Sequence, residues 1–90
     1  MTNIENILKN FKNKNYKEAL LELNKILIID PNSLEKLNLR GVILQILKKP
    51  EEARKNWIKS LSINNKYFDA YFNLGNSYMD EKNYNQAEIY

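Results

Sequence analysis

Apolar positions recur along this chain every three or four residues, the spacing that lines one face of a helix. Ile4, Ile7, Leu8 and Phe11 make a first stripe over residues 3–12. Ala19, Leu20, Leu23, Ile26 and Leu27 make a second over residues 16–29, stopped by Asp30-Pro31, because the residue before a proline is pushed out of helical geometry. Leu37, Gly41 and Leu44 mark a third helix over about residues 33–47, with Lys48-Lys49 at the end where the helix dipole favours positive charge. A fourth opens with Pro50 and the acidic Glu51 and Glu52, all favourable in a first turn, and continues through Ala53, Trp57 and Leu61 to about residue 63. Tyr71, Leu74, Gly75 and Tyr78 share one face of a fifth, about residues 67–81, and a sixth begins at Tyr84. Three starts carry cap signatures: Thr2 with Glu5, Asn15 with Glu18, and Asn83 with Gln86. No stretch sustains the alternation of a strand, so the chain reads as all-α.

The glycines sharpen this picture. Gly41 and Gly75 fall inside helices, where glycine costs about 1 kcal/mol relative to alanine, so a close approach by a second helix is the expected reason. Tyr71, Leu74, Gly75, Tyr78, Tyr84 and Ala87 together resemble the tetratricopeptide repeat, whose pattern runs Trp-x2-Leu-Gly-x2-Tyr, then Ala, an aromatic and Pro. The pattern recurs at the family's period of about 34 residues. Ala19, Ala53 and Ala87 are spaced by that period, as are Gly41 and Gly75, and Tyr16, Pro50 and Tyr84. Trp57 and Leu23 share one position, and Asp30-Pro31-Asn32 aligns with the stretch Ser62 to Asn65. The first unit departs from the pattern, with Ile7 in the glycine place and Asn3 in the aromatic place, which suits a terminal helix with no neighbour before it.

The resemblance implies an antiparallel helix-turn-helix solenoid, a right-handed superhelix of five full helices plus a truncated sixth. Its repeats are expected at about residues 1–33, 34–67 and, incomplete, 68–90, within one domain. A complete last helix would run to about residue 98, so the sequence is expected to be a fragment of a longer protein or to bury this end against another copy. Tyr71, Tyr78, Tyr84, Ile89 and Tyr90 are the candidates for such self-association.

Composition narrows the chemistry. Histidine and cysteine are absent, which removes disulfides, thiolate chemistry and most nucleophile–base pairs and metal clusters. Glu51-Glu52 and Asp80-Glu81 read as solvated residues at a helix start and a helix end, since neighbours on a helix point in different directions. Both glycines are mid-helix, so there is no phosphate loop, and no cofactor or catalytic constellation is expected. Net charge is +3, with 12 lysines and two arginines. Lys9, Lys12, Lys14 and Lys17 are interspersed with Glu5, Glu18 and Glu22 and read as a solubilising surface, not a nucleic-acid site. No apolar run approaches the ~20 residues of a membrane span and the N-terminus lacks signal-peptide character, so a cytoplasmic location is the expectation.

The remaining candidate is the concave groove that the resemblance assigns to the first helix of each repeat. Its candidate residues here are Asn38, Leu39, Val42, Gln45, Asp69, Phe72, Asn73, Asn76 and Asp80. Some family members grip acidic chaperone tails with a clamp of Lys, Asn and Arg. The matching positions are Ile4, Leu8, Leu39, Asp69 and Asn73, so the clamp is missing and such tails are disfavoured. Asn73 and Asn76, one turn apart, are placed to hydrogen-bond an extended peptide. The expected function is a protein-interaction scaffold that binds a partner's peptide or helix in this groove. The alternative is the N-terminal, substrate-presenting region of a larger enzyme such as a glycosyl- or sulfotransferase.

Overall fold

The computed structural model describes residues 3–90, apart from the side chains of Asn3, Tyr84 and Asn85. Thr2, half of the expected capping box, lies outside the described residues. Six helices follow one another: α1 (Asn3–Lys12), α2 (Tyr16–Ile29), α3 (Leu34–Ile46), α4 (Pro50–Ile63), α5 (Phe68–Asp80) and α6 (Tyr84–Ile89). No strand occurs among the described residues. The helices form hairpins α1/α2, α3/α4 and α5/α6, and we call the first member of each A and the second B. Each helix packs on the next in sequence, and α3 also packs on α5. That near-neighbour packing gives an elongated body of 42 × 26 × 16 Å.

The A-to-B turns share one geometry. Lys14, Lys48 and Lys82, spaced by the repeat period, each adopt positive φ, at 63°, 67° and 59°. Around them the Asn15, Lys49 and Asn83 amides reach back to the carbonyls of Asn10, Leu44 and Tyr78 at 2.7–2.9 Å. The Lys14, Lys48 and Lys82 amides bond Phe11, Gln45 and Met79. This is a Schellman termination, with lysine where glycine is usual. Ser33 caps α3 by accepting from the Lys36 amide at 3.4 Å, and Asn83 caps α6 by accepting from Gln86 at the same distance. Asn15 occupies the cap position of α2, but its side chain makes no cap bond.

The core is two adjoining clusters bridged by Leu20. Ile7, Ala19, Leu23 and Ile43 form one, and Leu44, Ala53, Trp57, Ala70 and Leu74 the other. Close approach explains Gly41: a Cβ there would lie 2.6 Å from Trp57 Cε2. The same reasoning gives a physical account of Ile7. In the first hairpin a larger Ile7 sits in one buried cluster with a smaller Leu23, whereas in the second Gly41 faces Trp57. Bulk is placed on the A helix in the first hairpin and on the B helix in the second, each filling the space that the smaller partner leaves. Gly75 has more room, its built Cβ meeting Tyr90 and Ala87 backbone at 3.7–3.9 Å.

Candidate interaction surface

α3 and α5 lie side by side, and their polar residues join across the seam. The Asn73 amide donates to Asn38 Oδ1 at 2.7 Å, and the Asn38 backbone carbonyl accepts from Trp57 Nε1 at 3.2 Å. Asn73 and Asn76 therefore do not form the free pair expected from their spacing: Asn73 is tied to Asn38, and Asn76 stays exposed. One turn further on, Ser77 Oγ donates to Gln45 Oε1 at 2.8 Å. A shallow cavity of about 140 Å³ opens beside these pairs, lined by Val42, Gln45, Ile46, Asn73, Asn76 and Asp80. Asp69 and Phe72 are exposed. Leu39 is half-buried and packs on the Ile7–Leu23 cluster, so it supports the groove from below more than it lines it.

Beneath the seam lies an arrangement that the sequence reading missed. Arg54 of α4 is only 9% exposed. Its guanidinium donates to Ser77 Oγ at 3.0 Å, pairs with Glu81 Oε1 at 2.7 Å and lies 4.6 Å from the Tyr78 ring centroid. Glu81, exposed at the end of α5 as its reading had it, is also the partner of a buried cation, which that reading did not include. A buried charge is tolerated only when paired and hydrogen-bonded, and Arg54 satisfies this with three residues of α5 and its C-cap. The available signal was the scarcity of arginine. Only Arg40 and Arg54 occur, and both bridge helices through fixed forked bonds, a task for which lysine lacks the geometry.

The C-terminal end differs from the exposed aromatic patch expected there. Tyr71 and Tyr78 are half-buried. Tyr90 stacks on Tyr78 at 5.9 Å and 11°, and lies 6.2 Å from the Tyr71 ring. Tyr90 thus covers its own neighbours. The Tyr84 side chain lies outside the described residues. The apolar side chains open to solvent here are Phe68, Phe72, Met79 and Ile89. Tyr67, at the start of α5, has its hydroxyl pKa raised above the ordinary 10.0 by burial, then by the negative charges of Asp69 and Glu35. No three acidic side chains gather as metal ligands among the described residues.

The family model for the tetratricopeptide repeat matches residues 68–90. Tetratricopeptide repeat protein 6 of Homo sapiens is 33% identical over 72 residues, which is 80% of this chain. The chain belongs to the tetratricopeptide-repeat family. As a tetratricopeptide-repeat protein it is an all-α helical repeat, and repeats of this family generally mediate protein–protein interaction. The chain spans 14% of the length of that human relative. Among the described residues of this repeat protein no helix is long and apolar enough to cross a membrane.

Proposed function

We propose that residues 1–90, with repeats at about 1–33, 34–67 and 68–90, form one interaction unit that takes an extended partner segment along α3 and α5. The observation that carries the reading is the Asn73–Asn38 bond at 2.7 Å. It fixes two side-chain amides on the A-helix face, and each keeps hydrogen-bonding capacity for a peptide backbone. Exposed Phe72 beside them supplies an apolar anchor, and exposed Asn76 extends the polar row. Asp69 and Asp80 flank the groove with negative charge, which favours a neutral or basic segment and opposes acidic tails. The absence of the Lys/Arg clamp positions points the same way.

The test is a random-peptide display selection against the chain, followed by NMR chemical-shift mapping of the enriched sequences. Amide shifts centred on Val42, Phe72, Asn73 and Asn76, lost in a Phe72→Ser/Asn76→Ala variant that melts like the parent, support the groove. Shifts centred elsewhere, or binding unchanged in that variant, overturn it.

A further inference from the structure

A second recess opens on the opposite side of the molecule, between the B helices. α2 and α4 do not pack on each other; α3 lies between them. The gap holds a cavity of about 440 Å³, with Leu27, Ile28 and Leu37 as its apolar lining. Arg40 rises from α3 into this gap. Its Nε donates to Asn24 Oδ1 of α2 at 2.8 Å, and its Nη1 to Asn56 Oδ1 of α4 at 3.3 Å. Both acceptors are neutral amides. Asn56 is itself held, its amide donating to the Glu52 carbonyl at 2.8 Å. The guanidinium is therefore fixed in place while its charge is left unmatched. Three of its five N–H groups have no protein acceptor among the described residues. Lys55 and Lys59 line the same recess, and no Asp or Glu does.

The three units differ here: one period before Arg40 stands Asn6, polar and exposed. Ile58, Leu74 and Tyr90 stand one full period after Asn24, Arg40 and Asn56 and are their equivalents in the next unit. Leu74 is fully buried in the core. The junction of the first two units thus carries an unpaired, half-buried cation where the next junction carries buried Leu74. A fixed guanidinium of this kind binds carboxylates strongly, because the donors are already oriented and partly desolvated.

We propose that the recess between α2 and α4 is a second docking site, for an acidic segment of a partner protein that places a carboxylate on Arg40 and an apolar side chain against Leu27 and Ile28. Charge complementarity selects the occupant. Arg40, Lys55 and Lys59 converge on one opening with no ion-pair partner among the described residues, while Ile28, 82% exposed at the rim, calls for apolar content. The site faces away from the A-helix groove and has the opposite electrostatic preference, so the two would accept different segments.

The probe is a short fluorescein-labelled peptide of alternating Glu and Leu, with Gln/Leu and Lys/Leu peptides as controls, followed by anisotropy at low salt and at about 0.15 M salt. Binding of the Glu/Leu peptide alone, weakening with salt, is expected. Lys55→Glu/Lys59→Glu should reduce its affinity at least about tenfold without altering the melting temperature. Arg40→Leu, which copies the residue found at Leu74, should fold and bind as poorly as the charge-reversed variant. Phe72→Ser, on the other face, should bind the Glu/Leu peptide normally. The proposal is overturned by no measurable binding, by equal binding of the Gln/Leu peptide, by insensitivity to Lys55→Glu/Lys59→Glu, or by loss in Phe72→Ser. The peptide-display outcome for the A-helix groove is independent of all four.

Discussion

Alanine should act with opposite sign at Gly41 and Gly75, although the two occupy equivalent places in successive repeats. A Cβ at Gly41 would lie 2.6 Å from Trp57 Cε2 and 2.9 Å from Cδ1, far inside an ordinary carbon contact of about 3.5–4 Å. The indole cannot easily give way: it is 2% exposed and tied to the Asn38 carbonyl through Nε1. Overpacking costs about 1–3 kcal/mol, and a displaced indole forfeits a further ~1 kcal/mol of hydrogen bond. Helix propensity returns about 1 kcal/mol, leaving a net loss of about 1–3 kcal/mol. In a domain of this size that is a melting temperature lower by roughly 4–24 °C. At Gly75 the nearest neighbours would be at 3.7–3.9 Å, an ordinary contact, so alanine should stabilise by about 0.5–1 kcal/mol. Urea unfolding followed by far-UV circular dichroism measures both. A Trp57→Phe background removes Nε1 and Cε2, the two nearest of the clashing atoms, so Gly41→Ala should then cost less by at least about 1 kcal/mol. The reasoning fails if the two alanines shift stability in the same direction, or if Trp57→Phe leaves the cost of Gly41→Ala unchanged.

Arg54→Ala should cost about 2–4 kcal/mol, because it removes charged hydrogen bonds inside the core. Glu81→Gln should cost only about 0.5–1 kcal/mol, since that side chain is 41% exposed and screened; equal losses by urea titration would count against this division. Lys48→Gly should raise stability by about 0.5–1 kcal/mol, because φ of 67° penalises any residue with a Cβ, and a drop in melting temperature would contradict the turn geometry. The raised Tyr67 hydroxyl keeps its proton in the folded chain at pH values where the unfolded chain has lost it. Its contribution is thus complete below the unfolded value of about 10 and declines as pH rises through the folded one. Tyr67→Phe should flatten the alkaline fall in melting temperature, and an unchanged slope would exclude Tyr67 as its source.

Helix positions were legible because the sequence repeats them. The spacing of the apolar stripes places α1, α2 and α4 to the residue and misses α3 and α5 only by counting their caps as helix. The repeat period also locates the turns, since Lys14, Lys48 and Lys82 keep that spacing. Side-chain pairing was less legible. Asn38 and Asn73 are 35 residues apart, one off the period, because the bond crosses diagonally between neighbouring helices. Periodic alignment sets equivalent residues side by side and so overlooks a partner offset by one. Arg54, Ser77 and Glu81 were missed for a related reason: their partners are 23 and 27 residues apart, separations that belong to a B helix meeting the next A helix.

What the period does expose is its own violation. A position that must fill the core keeps its type from unit to unit, as Ala19 and Ala53 do. Where bulk is exchanged, a compensating change appears opposite, as Ile7 with Leu23 answers Gly41 with Trp57. Arg40 follows neither rule. It carries a charge where the next unit has buried Leu74 and the first has exposed Asn6, and the residues opposite it, Asn24 and Asn56, hold the charge without neutralising it. Packing alone is served better by leucine, which needs no hydrogen bonds and buries no charge. The stability of Arg40→Leu therefore separates two accounts. A variant markedly less stable than the parent would make Arg40 a structural tie among three helices. A variant equally stable or more stable would leave recognition of an anion as the reason the seam is polar.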